Sequence, residues 1–69
     1  MKSLLDIEDI LKRWNVRYTH EYNFLRVFGN YNGYSIIRYN HDDKYNPVEL
    51  NGRVVSVPDL EDWIYTNCK

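Results

Sequence analysis

One cysteine, two prolines and three glycines among 69 residues exclude several ways of building and using a protein. With Cys68 alone, no intramolecular disulfide closes and no thiolate metal cluster assembles. The economical expectation is a reducing setting, the cytoplasm of a bacterial cell or phage host. Three unclustered glycines do not make a phosphate-cradling loop or a dinucleotide fingerprint. No apolar run approaches the ~20 residues of a membrane span, and the first residues lack the basic-then-apolar pattern of a secretory leader. Neither sign of charge dominates. Nine Lys/Arg against ten Asp/Glu give a formal net charge of −1, whereas a domain that works by neutralising phosphates is usually clearly basic.

Aromatic residues are abundant. Two Trp, two Phe and seven Tyr make up 16% of the chain. A single domain this small buries only about 60% of its unfolded surface, so a thin core must be filled by large side chains, and each buried ring removes roughly 150–250 Å² from water. Charge is also unevenly placed. Asp6, Glu8 and Asp9 crowd one end and Asp59, Glu61 and Asp62 the other, where helices are expected to begin and carboxylates offset the helix dipole. Between Lys12 and Val57, seven Lys/Arg face four acids.

The first and last elements read as helices. Leu4, Ile7, Leu11 and Trp14 recur on one face, with Ile10 beside them, predicting a helix from about Asp6 to Trp14. Ser3 or Asp6 serves as cap, Asp6 with Asp9 approximates a capping box, and Asn15 is the expected stop. Near the C-terminus, Pro58 suits a first helical turn, Ser56 or Asp59 a cap, and Leu60, Trp63 and Ile64 an apolar face, predicting a short helix from about Pro58 to Thr66.

Between them lie hairpin signals. Val48-Glu49-Leu50 and Arg53 to Val57 flank Asn51-Gly52, and both central residues of a type I′ turn need positive φ. The middle admits two readings. Tyr22 to Asn40 is rich in aromatic and β-branched residues around Asn32-Gly33, which predicts a hairpin of Asn23 to Phe28 against Tyr34 to Tyr39 with Gly29 to Gly33 as a looser turn. Alternatively Tyr18, Tyr22, Leu25 and Phe28 share a helix face ended by Gly29-Asn30. His41 to Asn46 reads as a polar loop. The fold class is therefore α+β: one small domain over 1–69, with an N-terminal helix, one or two central antiparallel hairpins and a short C-terminal helix, either winged-helix-like or α-β-β-β-β-α.

Leu4 to Val16, LLDIEDILKRWNV, and Val48 to Ile64, VELNGRVVSVPDLEDWI, together resemble the opening and close of the excisionase-like, MerR-related winged helix-turn-helix domains. The resemblance covers about 30 of the 69 residues. It implies a small regulatory or accessory protein that binds double-stranded DNA, alone or beside a recombinase or other protein partner. The recognition helix would begin after Val16 and present Arg17, Tyr18, His20, Asn23 and Arg26 to the major groove. Asn51, Gly52 and Arg53 would form the wing tip, and Lys12 and Arg13 would set orientation on the DNA backbone.

The alternative takes the middle as strands. Two hairpins would expose an aromatic sheet surface, and Tyr, Trp and Arg are the residues that dominate protein interfaces. Such a module would occupy a host protein's surface as an inhibitor or adaptor, as many small phage-encoded proteins do. Tyr31, Tyr34 and Tyr45, close to turns, are the rings expected outside. A catalytic reading has little behind it. His20-Glu21 and His41-Asp42-Asp43-Lys44 contain ligand and base residue types, but adjacent residues on an extended chain point apart and no spaced partner completes a site. No cofactor or metal is expected.

Overall fold

A computed structural model describes residues 3–30 and 32–68. In chain order they form α1 (Leu4–Arg13), β1 (Arg17–His20), β2 (Leu25–Phe28), β3 (Ser35–Tyr39), β4 (Val48–Leu50), β5 (Arg53–Val54) and α2 (Val57–Cys68). The strands make one antiparallel meander in the order β1-β2-β3-β4-β5. The architecture is the α+β class expected, with five strands rather than four. The helical alternative over Tyr18 to Phe28 does not form: these residues are the β1–β2 hairpin, with Tyr18 opposite Val27 and Thr19 opposite Arg26.

Each helix end has a chemical reason. Ser3 caps α1 by accepting from the Leu5 N–H, and the Asp6 carboxylate accepts from the Ser3 N–H at 3.2 Å, so the capping box lies one turn earlier than Asp6 with Asp9. At the other end Asn15 takes a φ of 59°. Its N–H donates to the Lys12 carbonyl and that of Val16 to the Leu11 carbonyl, the paired bonds of a Schellman stop. Ser56 caps α2 from just before its first residue, its hydroxyl accepting from the Asp59 N–H at 3.1 Å. It runs two residues beyond Thr66, to Cys68.

The turns follow local chemistry in the same way. Asn51 and Gly52 both have positive φ, 53° and 84°, as a type I′ turn between β4 and β5 requires. Asn51 does more than turn the chain. Its side-chain carbonyl accepts from the Ile36 N–H at 2.9 Å and its amide donates to the buried Ser35 hydroxyl at 3.2 Å, tying the turn to β3. In the 40–47 loop, Asn40 Oδ1 accepts from the Asp42 N–H, and Asp43 Oδ1 from those of Tyr45 and Asn46.

The core is one cluster. Ile7, Ile10 and Leu11 of α1, Val16, and Leu60 and Ile64 of α2 pack on Leu25, Val27, Ile37, Val48 and Leu50 of the sheet. Burying each such side chain contributes roughly 1.5–3 kcal/mol. A 12-residue helix such as α2 is marginal alone, and Leu60 and Ile64 hold it to the sheet. Leu4, Trp14 and Trp63, expected on the apolar helix faces, sit at the cluster's rim. Since both helices pack on the side carrying Leu25, Val27, Ile37, Val48 and Leu50, alternation along the strands leaves the other face open.

Candidate functional site

The open face takes its residues from strand periodicity. Cross-strand partners share a face, so Arg17 and Thr19 of β1, Arg26 and Phe28 of β2, Ile36 of β3 with Arg38 one pleat along, Glu49 of β4 and Val54 of β5 all point away from the helices. Phe24 and Tyr34, immediately before β2 and β3, extend the same rows. Three arginines occupy this face on three adjacent strands, and each guanidinium lies over a ring: Arg17 over Phe28 at 4.9 Å, Arg26 over Tyr34 at 4.6 Å and Arg38 over Phe24 at 5.3 Å from the centroid. Phe28 and Tyr34 meet edge to face at 6.4 Å.

Stacking over a ring holds a guanidinium flat and leaves its N–H edges pointing sideways for planar acceptors. Among the described residues the one ion pair is His20 with Glu8, so no described carboxylate, Glu49 opposite Arg38 included, lies within ion-pair distance of the three arginines. Arg26 Nε is buried without a hydrogen-bond partner. The charge is layered accordingly. The two helices carry six acids (Asp6, Glu8, Asp9, Asp59, Glu61, Asp62) against two bases (Lys12, Arg13), whereas the open face carries three arginines and Glu49. A net charge of −1 therefore conceals a positive face on the sheet and a negative layer opposite.

A second polar cluster lies on the helical side of β1. The Tyr18 hydroxyl donates to Glu8 Oε1 and His20 Nδ1 meets Glu8 Oε2, both at 2.7 Å, so Glu8 pins the edge strand to α1. Burial pushes the Glu8 carboxyl up, but the Tyr18 and His20 hydrogen bonds and the charges of His20 and Lys12 outweigh it and leave the group below its ordinary range. Burial, then the bond to Glu8 and the negative charges of Glu8 and Asp9, push the Tyr18 phenol up to about 12. Among the described residues no three of His, Cys, Asp or Glu gather to hold a metal ion.

The residues assigned to DNA contact are thus dispersed. Arg17 and Arg26 lie on the open face. Tyr18 and His20 point to the helical side and are engaged by Glu8. Asn23 is exposed in the β1–β2 turn. Without a recognition helix, these five do not share a helix face. Asn51 and Gly52 form the β4–β5 turn, with Asn51's side chain bonded to β3, and Arg53 is exposed on the short edge strand β5. Lys12 and Arg13 are exposed in the last turn of α1, within the helical layer.

Phe24, Phe28 and Arg38 are the site residues that the sequence reading passed over, and Tyr34 was expected outside only as a ring close to a turn. Their signal was present: Arg26-x-Phe28 and Tyr34-x-Ile36-x-Arg38 alternate cationic, aromatic and aliphatic residues at a period of two, with Val27, Ser35 and Ile37, all buried, between them. Tyr34 and Tyr45 are exposed as expected, and Tyr31 lies outside the described residues. No helix among the described residues is long and apolar enough to cross a membrane. Comparison with protein-family models, with curated proteins and with solved structures gives no significant match, so the reading of this face rests on its own geometry.

Proposed function

We propose that this protein is a small protein-binding module, an inhibitor or adaptor that acts in the cytoplasm by occupying a partner protein's surface with the open face of its sheet. The observation that carries the reading is the set of three guanidiniums over Phe28, Tyr34 and Phe24, none of them in an ion pair with a carboxylate among the described residues. Arg and aromatic residues supply most hot-spot energy at protein interfaces. A rigid sheet presents them at little conformational cost, because stacking has already restricted the side chains. The acidic helical layer orients the approach, steering an anionic partner surface to the sheet side.

The test is a cross-linked pull-down from the source cells with three baits. They are wild type, a face variant carrying Arg17→Glu, Arg26→Glu and Arg38→Glu, and a helical-layer control carrying Lys12→Glu and Arg13→Glu, each checked for its β-rich circular dichroism. The reading predicts one protein retained by wild type and control and lost from the face variant. Equal retention by all three refutes it.

A second reading, a double-stranded DNA-binding accessory protein, is supported by the β4–β5 hairpin, whose tip carries the exposed Arg53 in the manner of a wing. It predicts binding to duplex DNA that weakens steeply with salt and falls on Arg53→Ala. Duplex titration at two salt concentrations decides it, since binding that is absent, or unchanged in the variant, removes this reading.

A further inference from the structure

We infer that the open face recognises an extended acidic segment of its partner protein, with carboxylates at alternate residues lying along the diagonal from Arg17 through Arg26 to Arg38. The inference rests on the reading of this face as the binding surface and adds the chemistry of what it binds. Arg17 is opposite Phe28, two residues beyond Arg26 on the same strand, and Arg26 is opposite Ile36, two residues before Arg38. Each arginine is therefore one strand across and two residues along from the next. Such diagonal neighbours lie roughly 7–8 Å apart. Alternate residues of an extended chain are spaced about 6.5–7 Å apart, so three carboxylates on one edge of a strand-like segment can meet the three guanidiniums in register.

The state of each arginine favours a carboxylate acceptor. A guanidinium stacked on a ring offers its N–H edges in plane, the geometry of paired bonds to a carboxylate. Arg26, the middle of the three, has a buried Nε with no acceptor within the described chain, so its charge is not compensated there and favours a carboxylate docked at the outer end of the guanidinium. Single-stranded nucleic acid is the competing anion, and two observations disfavour it. One face of each ring is already taken by a guanidinium, which narrows the platform on which bases would stack. The face's three cations share it with Glu49 in a molecule of net charge −1, where polyanion-binding domains gather a larger positive excess.

The experiment is a titration of the 15N-labelled full chain, followed by amide chemical shifts, with three probes: acetyl-Glu-Val-Glu-Val-Glu-amide, the same peptide with Gln for Glu, and a ten-nucleotide thymidine strand. The glutamate peptide is expected to give saturable shifts confined to Arg17–His20, Leu25–Phe28 and Ser35–Tyr39, and the glutamine peptide none. Arg26→Gln should weaken binding roughly tenfold, the scale of one charge-assisted contact, and Arg26→Lys should restore only part of it. Tighter binding of the thymidine strand, shifts centred on the helices, or shifts that appear on concentrating the protein alone would overturn the inference, the last in favour of self-association. If the face variant loses its partner in the pull-down while the glutamate peptide gives no shifts, the carboxylate inference fails and the binding face stands. If the face variant keeps its partner, the reading beneath it fails as well.

Discussion

Replacing Asn51 by Ala separates a structural role from a binding role at the tip of the β4–β5 turn. Asn51 holds a φ of 53°, a conformation that costs an alanine about 1–2 kcal/mol. Its side chain accepts from the Ile36 N–H at 2.9 Å and donates to the buried Ser35 hydroxyl at 3.2 Å. Each bond contributes about 0.5–1.5 kcal/mol, and water can partly replace the exposed one. Asn51→Ala is therefore expected to cost about 2–3 kcal/mol. Asn51→Gly loses the same bonds without the φ penalty but gains freedom in the unfolded chain, so its cost is nearer 1–2 kcal/mol. Urea unfolding followed by tryptophan fluorescence measures both, and the Ala variant should melt roughly 10 °C or more below wild type. If alanine is tolerated as well as glycine, or if both cost under about 0.5 kcal/mol, the tie between this turn and β3 contributes no stability.

Other outcomes follow from packing, capping and titration. Ile37→Val removes one methyl from a fully buried site and should cost about 0.5–1.5 kcal/mol in urea unfolding, whereas Leu60→Ala should cost about 2–5 kcal/mol and detach α2. Ser3→Ala removes the hydroxyl half of the α1 capping box and keeps the backbone N–H that donates to Asp6, and it should lower stability by about 1 kcal/mol. An absorbance titration of the seven tyrosines should show one phenol ionising late, at about 12, and Glu8→Gln should bring that step down. Because folding raises the Tyr18 value, its contribution to stability is complete below the unfolded value near 10 and is lost as pH rises through about 12. Glu8 behaves oppositely. Its lowered value contributes stability that is full above the ordinary carboxylate value and is lost as pH falls from there through the lowered one, so the acid limb of the stability curve should flatten in Glu8→Gln.

The sequence revealed most where a residue type answers a local backbone demand. Asn51-Gly52 meets a double positive-φ requirement that few dipeptides can, so the hairpin was legible, as was the left-handed stop at Asn15. Boundaries slipped where two chemistries competed. Asp6 with Asp9 and Ser3 with Asp6 both make capping boxes on paper, and the structure forms the one that adds a turn to α1. The region of Tyr18 to Phe28 was ambiguous because Tyr18, Tyr22, Leu25 and Phe28 satisfy a helical period while Leu25 and Val27 also alternate. What decides it is non-local: Leu25 pairs with Ile37, and Tyr18 with Val27, so that Leu25, Val27 and Ile37 are fully buried together. The β1 strand gave almost no sign of itself, since Arg17, Thr19 and His20 are exposed beside a half-buried Tyr18 and an edge strand needs no apolar alternation. Half of the binding face was missed for a related reason. Arg17 and Arg26 were singled out and Tyr34 was expected outside, but Arg38, Phe24 and Phe28 join them only once the register places β1, β2 and β3 side by side.

The open face is tested most directly by cross-saturation in the complex with the captured partner. With this protein deuterated and 15N-labelled and the partner's protons saturated, attenuation should concentrate on Arg17, Thr19, Arg26, Phe28, Ile36 and Arg38, leaving Lys12, Arg13 and the exposed positions of α2 unchanged. Attenuation centred on α1, α2 or the Asn51-Gly52 turn, with the sheet residues unaffected, would contradict the account.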